Sequence, residues 1–261
     1  MLDFVFEQLS VRVERVRETA FATRVAPTAE AIHELRVSIR RLTEAVRSLE
    51  HWVKAKPAEK LRDRLRPVMK AAGEARNLDI ARELLPSVAE ALAPLRTEAA
   101  HRLIEELLLL DVDKLRPPCE PDPDVPAPRV MAAPILADLI PKYWEAGDNA
   151  TDLHQFRLAT KHLRYTVELF APVYGRGAQT KLGVLKDIQS HLGKFHDCQA
   201  ARELDPIRSD PQLQEWLSNR QEAQREKFQK TWEALRRQRN AWIRYFSGAG
   251  FNLRGASAPL R

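Results

Sequence analysis

Two blocks of this chain each occur twice, in the same order and at almost the same separation. IHELRVSIRRLTEAV at 32–46 aligns without a gap with LHQFRLATKHLRYTV at 153–167, a shift of 121 residues. GEARNLDIARELL at 73–85 aligns with GKFHDCQAARELD at 193–205, a shift of 120. A duplication of this kind restricts the fold to two similar halves, each built on the same supersecondary unit. Between the copies lies PPCEPDPDVPAPRVMAAP, with seven prolines from Pro117 to Pro134, a composition that cannot be a helix interior and reads as a linker.

On both sides of that interruption apolar residues recur at helical spacing. Only nine glycines and 30% charged residues, against sparse strand signals, favour helix throughout, and 44% apolar content is ample for a core. The expectation is an all-α fold of two pseudo-symmetric four-helix bundles: residues 1–115, a Pro-rich linker at 116–131, residues 132–246, and a flexible tail at 247–261. Within each half the reading is a long helix carrying the His-Arg block, then a second helix, 58–72 or 179–192, ending near Gly73 or Gly193, and a third after the glycine. An N-terminal helix, a segment around 94–112 and a long run at 212–246 complete the set.

On a helical wheel, Ile32, Leu35, Ile39, Leu42, Val46 and Leu49 form one stripe, bordered by His33, Arg36, Arg40 and Arg47. The second half repeats the pattern, with Leu153, Phe156, Leu163, Val167 and Phe170 as the stripe and His154, Arg157, Lys161 and Arg164 along its edge. Like charges lined up beside a core repel one another and lose hydration, so an anionic partner is expected. Arginine presents a planar fork that matches phosphate oxygens, lysine a mobile point charge and histidine a ring N–H, a mixture suited to phosphate. The next helix adds Arg62, Arg66 and Lys70 at four-residue steps, Lys186 aligns with Arg66, and Lys194 and His196 follow Gly193, with His196 aligned to Arg76.

Blander readings stand beside these. An Arg-rich helix edge alone is usually a solvated face with intrahelical partners, and it is the recurrence of H-x-x-R-x-x-x-[RK] that argues for function. His33 and His154 could serve the bundle through hydrogen bonds instead, and Asp79 and Asp197 read as helix caps or ion-pair partners. His51, His101, His162 and His191 lack repeated partners and read as surface or packing residues. The chain carries no glycine-rich phosphate loop, nucleophile elbow, zinc spacing or paired carboxylate motif, so neither catalysis nor a metal or other cofactor is expected.

The formal charge of +6 and pI of about 9.4 bias the molecule toward anions without naming one. Cys119 and Cys198 are too few for a disulfide scaffold, which suits a reducing cytosol, and no apolar run approaches a membrane span.

HELRVSIRRL at 33–42, HQFRLATKHLRY at 154–165 and the turns read at 72–79 and 192–199 resemble the CHAD domain, the conserved histidine α-helical domain, over most of the chain. The resemblance implies two four-helix bundles with internal symmetry and binding of inorganic polyphosphate by a basic surface between them. By similarity His33, Arg36, Arg40, Arg41, His154, Arg157, Lys161 and Arg164 line that surface. Thr43 stands where the family commonly has a basic residue, and Asn77 where it has Asp. Many relatives are fused to a triphosphate-hydrolysing CYTH domain, for whose β-barrel this chain has no sequence, so a stand-alone module is implied. The expected function is non-enzymatic polyphosphate binding in the cytoplasm, in association with polyphosphate granules. The alternatives are a nucleic-acid or nucleotide-binding helical module, which should add aromatic stacking platforms, and a metal-dependent phosphohydrolase.

Overall fold

The computed structural model describes residues 3–149 and 152–247, so most of the sequence-predicted tail, from 248 on, lies outside the described residues. Among the described residues there are nine α-helices and no strand: α1 (Phe4–Val25), α2 (Ala29–Ser48), α3 (Ala55–Leu84), α4 (Ala93–Leu109), α5 (Pro128–Asp148), α6 (Leu153–Tyr174), α7 (Arg176–Arg202), α8 (Pro211–Arg236) and α9 (Arg239–Phe246). The all-α expectation holds. Both copies of the His-Arg block fall on α2 and α6, and both copies of the second block begin inside α3 and α7.

Local chemistry sets the helix starts. The Asp3 carboxylate accepts from the Val5 and Phe6 N–H groups, Thr28 Oγ1 from Ala31, and the Asp152 carboxylate from His154 and Gln155, each satisfying donors that a first helical turn leaves open. A single residue, Gly175, joins α6 to α7; its φ of 67° and ψ of −153° lie where side chains with a Cβ are strained.

Three sequence expectations are corrected. Gly73 and Gly193 do not end helices: α3 runs through the first for 30 residues and α7 through the second for 27. An interior glycine costs only about 1 kcal/mol relative to alanine, too little to break a helix whose buried face continues through Ala71, Ala72, Ala75 and Leu78. The turns read at 72–79 and 192–199 are therefore helical.

Helix α5 begins at Pro128, earlier than the proline count suggests, because proline is tolerated in a first turn where its missing N–H would be unpaired anyway. Pro134 is then interior but exposed, as is Val130, so the carbonyl that loses its helical donor faces water. The run 212–246 breaks at 237–238, which lets Trp242 and Phe246 of α9 turn into the core.

The chain forms two compact units, one comprising residues up to Val125 together with Gly193–Arg225, the other Pro126–Leu192 with the chain from Glu226 on. In the first, α1 packs on α2, α2 on α3, α3 on α4 and α4 back on α1, which closes a four-helix bundle. Its core is aliphatic: Leu9, Val16, Ile32, Leu35, Ile39, Leu42, Leu65 and Leu103 are all fully or almost fully buried. Inside it Thr19 and Ser38 hydroxyls meet at 2.7 Å, and Arg96 of α4 reaches Asp79 of α3 at 2.6 Å and the Pro27 carbonyl at 2.8 Å.

The proline-rich stretch is fastened to this unit. Lys54 N–H donates to the Pro118 carbonyl and its ammonium meets Glu120 at 2.6 Å; Asp3, while capping α1, accepts from Asp122 N–H; Arg17 holds the carbonyls of Val112 and Leu115.

The second unit has an aromatic core. Tyr143 and Trp144 of α5, Phe156 of α6, Phe228 and Trp232 of α8 and Trp242 of α9 form a chain of ring contacts with centroids 4.9–6.2 Å apart. Gly147 of α5 is buried against Trp232 and Phe156. Burial pushes the Tyr174 hydroxyl up to about 12, and that hydroxyl donates to the Phe246 carbonyl at 3.2 Å.

Candidate functional site

The apolar stripe of α2 is buried as the wheel requires: Ile32, Leu35, Ile39, Leu42, Val46 and Leu49 are each 0–1% exposed. That burial fixes the helix's rotation, so the bordering cations have no choice of face. His33 and Arg47 are exposed, and Arg36 and Arg40 lie half-buried between them. Arg41, one position on, points about 100° away from Arg40 and is exposed.

Arg36 crosses to α3, where one guanidinium nitrogen donates to the Met69 carbonyl at 3.4 Å. It passes directly over Gly73, at a place where a Cβ on that residue would sit 2.8 Å from the Arg36 Nη1. The glycine read from sequence as a helix end is thus the gap that admits this side chain.

On α6 the corresponding row runs from solvent inward. His154 is exposed and Arg157 half-buried, whereas Lys161 and Arg164 are 5% and 8% exposed. The Arg164 guanidinium lies 4.1 Å from the Tyr165 ring centroid and 3.3 Å from Glu168, and its buried Nε has no hydrogen-bond partner among the described residues. The two copies of the motif therefore differ in burial. Leu153, expected in the stripe, is only half-buried, while Phe156, Leu163, Val167 and Phe170 are in the core.

Arg66 and Lys70 are exposed on α3, and Arg76 is half-buried further along it. Arg66 pairs with Asp63 at 2.7 Å, and with Lys70 and Arg102 it lines a recess of about 470 Å³ that also holds Glu74, Glu105 and Glu106. Three cations there face three carboxylates, which makes this recess a poorer anion site than the row on α2. On α7, Lys186 and Lys194 are exposed and His196 is half-buried; Lys194 and His196 belong to the first unit and Lys186 to the second.

Charge compensation discriminates among the candidates. Among the described residues Arg40, Arg47, Arg76, Lys186 and Lys194 make no salt bridge, so their charge is open to an external anion; Lys70 makes none either but shares its recess with three carboxylates. Asp79, by contrast, is the ion-pair partner of Arg96, the structural role its sequence context suggests. Sequence reading missed Arg96 because its partners lie 17 and 69 residues away and no local spacing marks them.

The described residues hold no group of three or more His, Cys, Asp or Glu side chains that could bind a metal ion. No described helix is long and apolar enough to cross a membrane.

The chain is similar in fold to the crystal structure of the CHAD domain from the plant Ricinus communis, with a TM-score of 0.67, 20% identity and coverage of 91% of each chain. It is equally similar to PptA from Streptomyces chartreusis, with a TM-score of 0.67, 16% identity and coverage of 89% of this chain and 100% of that one. Among curated proteins none matches. A family model for the CHAD domain matches residues 7–205, which takes in both copies of the His-Arg block and both copies of the block that follows it. On that match, the chain belongs to the CHAD domain family.

Proposed function

We propose that this chain is a non-enzymatic binder of inorganic polyphosphate, to which the basic row of α2 with cations of α3, and the basic row of α6 with cations of α7, each contribute phosphate contacts. The observation that carries the reading is the repeated row itself: His33, Arg36, Arg40 and Arg47 on one helix and His154, Arg157, Lys161 and Arg164 on the other, each fixed beside a buried stripe. Arg40, Arg47 and Arg76, which make no salt bridge among the described residues, leave positive charge that a linear polyanion neutralises. Such a ligand presents no sequence to read, so repeated ionic contacts suffice. The family's association with polyphosphate supports the same conclusion, and a cytoplasmic location beside polyphosphate granules follows from the ligand.

Calorimetric titration with long-chain polyphosphate at low ionic strength tests it. Binding should weaken steeply as salt is raised, because each contact releases a counterion. Arg36→Ala combined with Arg157→Ala should weaken binding by about 100-fold, since each charge-assisted contact is worth about 1.5–3 kcal/mol. No binding by the wild-type chain, or unchanged affinity in a double variant whose circular dichroism shows it folded, refutes the reading. RNA that displaces polyphosphate at equal phosphate concentration would favour nucleic acid instead, and phosphate release with Mg²⁺ or Mn²⁺ would indicate a hydrolase.

Gly73→Ala gives a milder check. The alanine gains about 0.5–1 kcal/mol of helix propensity, and only the tip of a flexible side chain must move to admit it. Thermal melting should show a protein as stable as wild type or slightly more so, while displacement of the Arg36 guanidinium reduces polyphosphate affinity several-fold.

A further inference from the structure

We propose that the first unit carries a second anion site, separate from the α2 and α6 rows, in which Lys60, Arg64, Lys114 and Arg116 bind a phosphate group. At about 100° per residue, Lys60 and Arg64 project from a different side of α3 from Arg62 and Arg66. There they meet the segment after α4, and together with Lys114, Arg116 and the rings of Pro57 and Pro117 they line a recess of about 340 Å³. That size is at the small end of the roughly 300–1,000 Å³ typical of ligand sites.

The lining carries four cations and no carboxylate. Nearby, the Asp111 carboxylate pairs with Lys114 at 2.7 Å. Both guanidinium groups donate their hydrogen bonds to carbonyls. Arg64 donates to the carbonyls of Lys114 at 3.1 Å and Asp111 at 2.7 Å, and Arg116 to those of Asp113 and Leu115. Carbonyl dipoles fix the direction of each fork without cancelling its formal charge; Arg64 shares the field of Asp111 with Lys114, whereas Arg116 and Lys60 make no salt bridge among the described residues.

Four cations set against one carboxylate leave a net positive recess, with both guanidinium forks already oriented, which suits a small, multiply charged oxyanion. The recess lined by Arg66, Lys70 and Arg102 lacks this property, because three carboxylates share it. The ligand class is a phosphate group, either free inorganic phosphate or part of an oligophosphate. The inference does not rest on polyphosphate binding by the rows.

The test is calorimetric titration of the full chain with inorganic tripolyphosphate and, separately, with inorganic phosphate at low ionic strength. Lys60→Glu with Arg116→Glu should weaken binding of the tighter of the two ions by at least about tenfold, the worth of a lost charge-assisted contact. Arg36→Ala with Arg157→Ala should leave this component intact, and so should Lys227→Glu with Lys230→Glu, an equal change of net charge on exposed positions of α8. Should replacing Arg116 unfold the loop, Lys60→Gln with Lys114→Gln keeps both guanidinium groups in place and should still weaken binding several-fold.

The site is refuted if neither ion binds, if the recess variants bind like wild type, or if the α8 charge reversal weakens binding equally. Loss of long-chain binding in the row variants with tripolyphosphate binding retained supports both proposals. A wild-type chain that binds tripolyphosphate in the recess and ignores long chains sinks only the reading of the rows.

Discussion

Arg96→Ala is expected to lower the folding stability by about 3–5 kcal/mol, the range for removing one partner of a buried ion pair. Arg96 and Asp79 side chains are 11% and 8% exposed, with Nε and Oδ1 2.6 Å apart. The same guanidinium also donates to the Pro27 carbonyl at 2.8 Å, so one side chain joins α4, α3 and the turn between α1 and α2. Truncating it strands a carboxylate whose second oxygen, Oδ2, is already buried with no hydrogen-bond partner among the described residues. It also orphans a backbone carbonyl.

Replacing both members, Arg96→Met with Asp79→Leu, should be far less damaging than the sum of the single changes, because no buried charge remains uncompensated. Urea denaturation of the three variants measures the coupling; guanidinium chloride would screen it. A loss below about 1 kcal/mol for Arg96→Ala would show that the pair behaves like an exposed one.

Gly147→Ala is expected to destabilise the second unit by about 3 kcal/mol, the upper end of the range for overpacking a core. A Cβ at this position would lie 2.2 and 2.4 Å from two ring atoms of Trp232 and 2.9 Å from Phe156. Both rings are wedged among Tyr143 and Trp144, which are themselves buried, so neither can swing aside. The roughly 1 kcal/mol that alanine gains in a helix is too small to offset the clash.

Gly183→Ala in α7, where nothing lies within 4 Å, serves as the opposite case and should stabilise by about 0.5–1 kcal/mol. Thermal melts read the difference, and the near-ultraviolet dichroism of the tryptophan cluster should change only in the Gly147 variant. Equal melting temperatures for Gly147→Ala and wild type would mean that the aromatic core yields more readily than its packing implies.

These two sites mark where sequence reading stops. The stripes on α2 and α6 were legible because burial of a helix face depends on local periodicity, and every residue placed on the α2 stripe is buried. The basic rows were legible for the same reason, and the repeat distinguished them from ordinary solvated edges. Gly73 was misread because a glycine near a helix end and a glycine that admits a neighbour's side chain look alike in one dimension; only Arg36, 37 residues earlier, tells them apart. Pro134 was misread because the exposure of Val130, which makes the proline tolerable, depends on the rotation of a helix not yet placed. The recess of Lys60, Arg64, Lys114 and Arg116 joins residues about fifty positions apart through backbone carbonyls, which leave no trace in side-chain spacing.

The proline-rich stretch after α4 has a mechanical consequence. A tether of similar length built of glycine and serine would sample many conformations and place its ends only on average. Here proline rings narrow the chain's freedom before folding, bolts from Lys54 and Asp3 hold it at Pro118 and Asp122, and Arg17 holds the residues that lead into it. A segment that reads as a linker thus behaves as a buttress, and cutting or lengthening it would disturb the wall it leans on rather than merely slacken a leash.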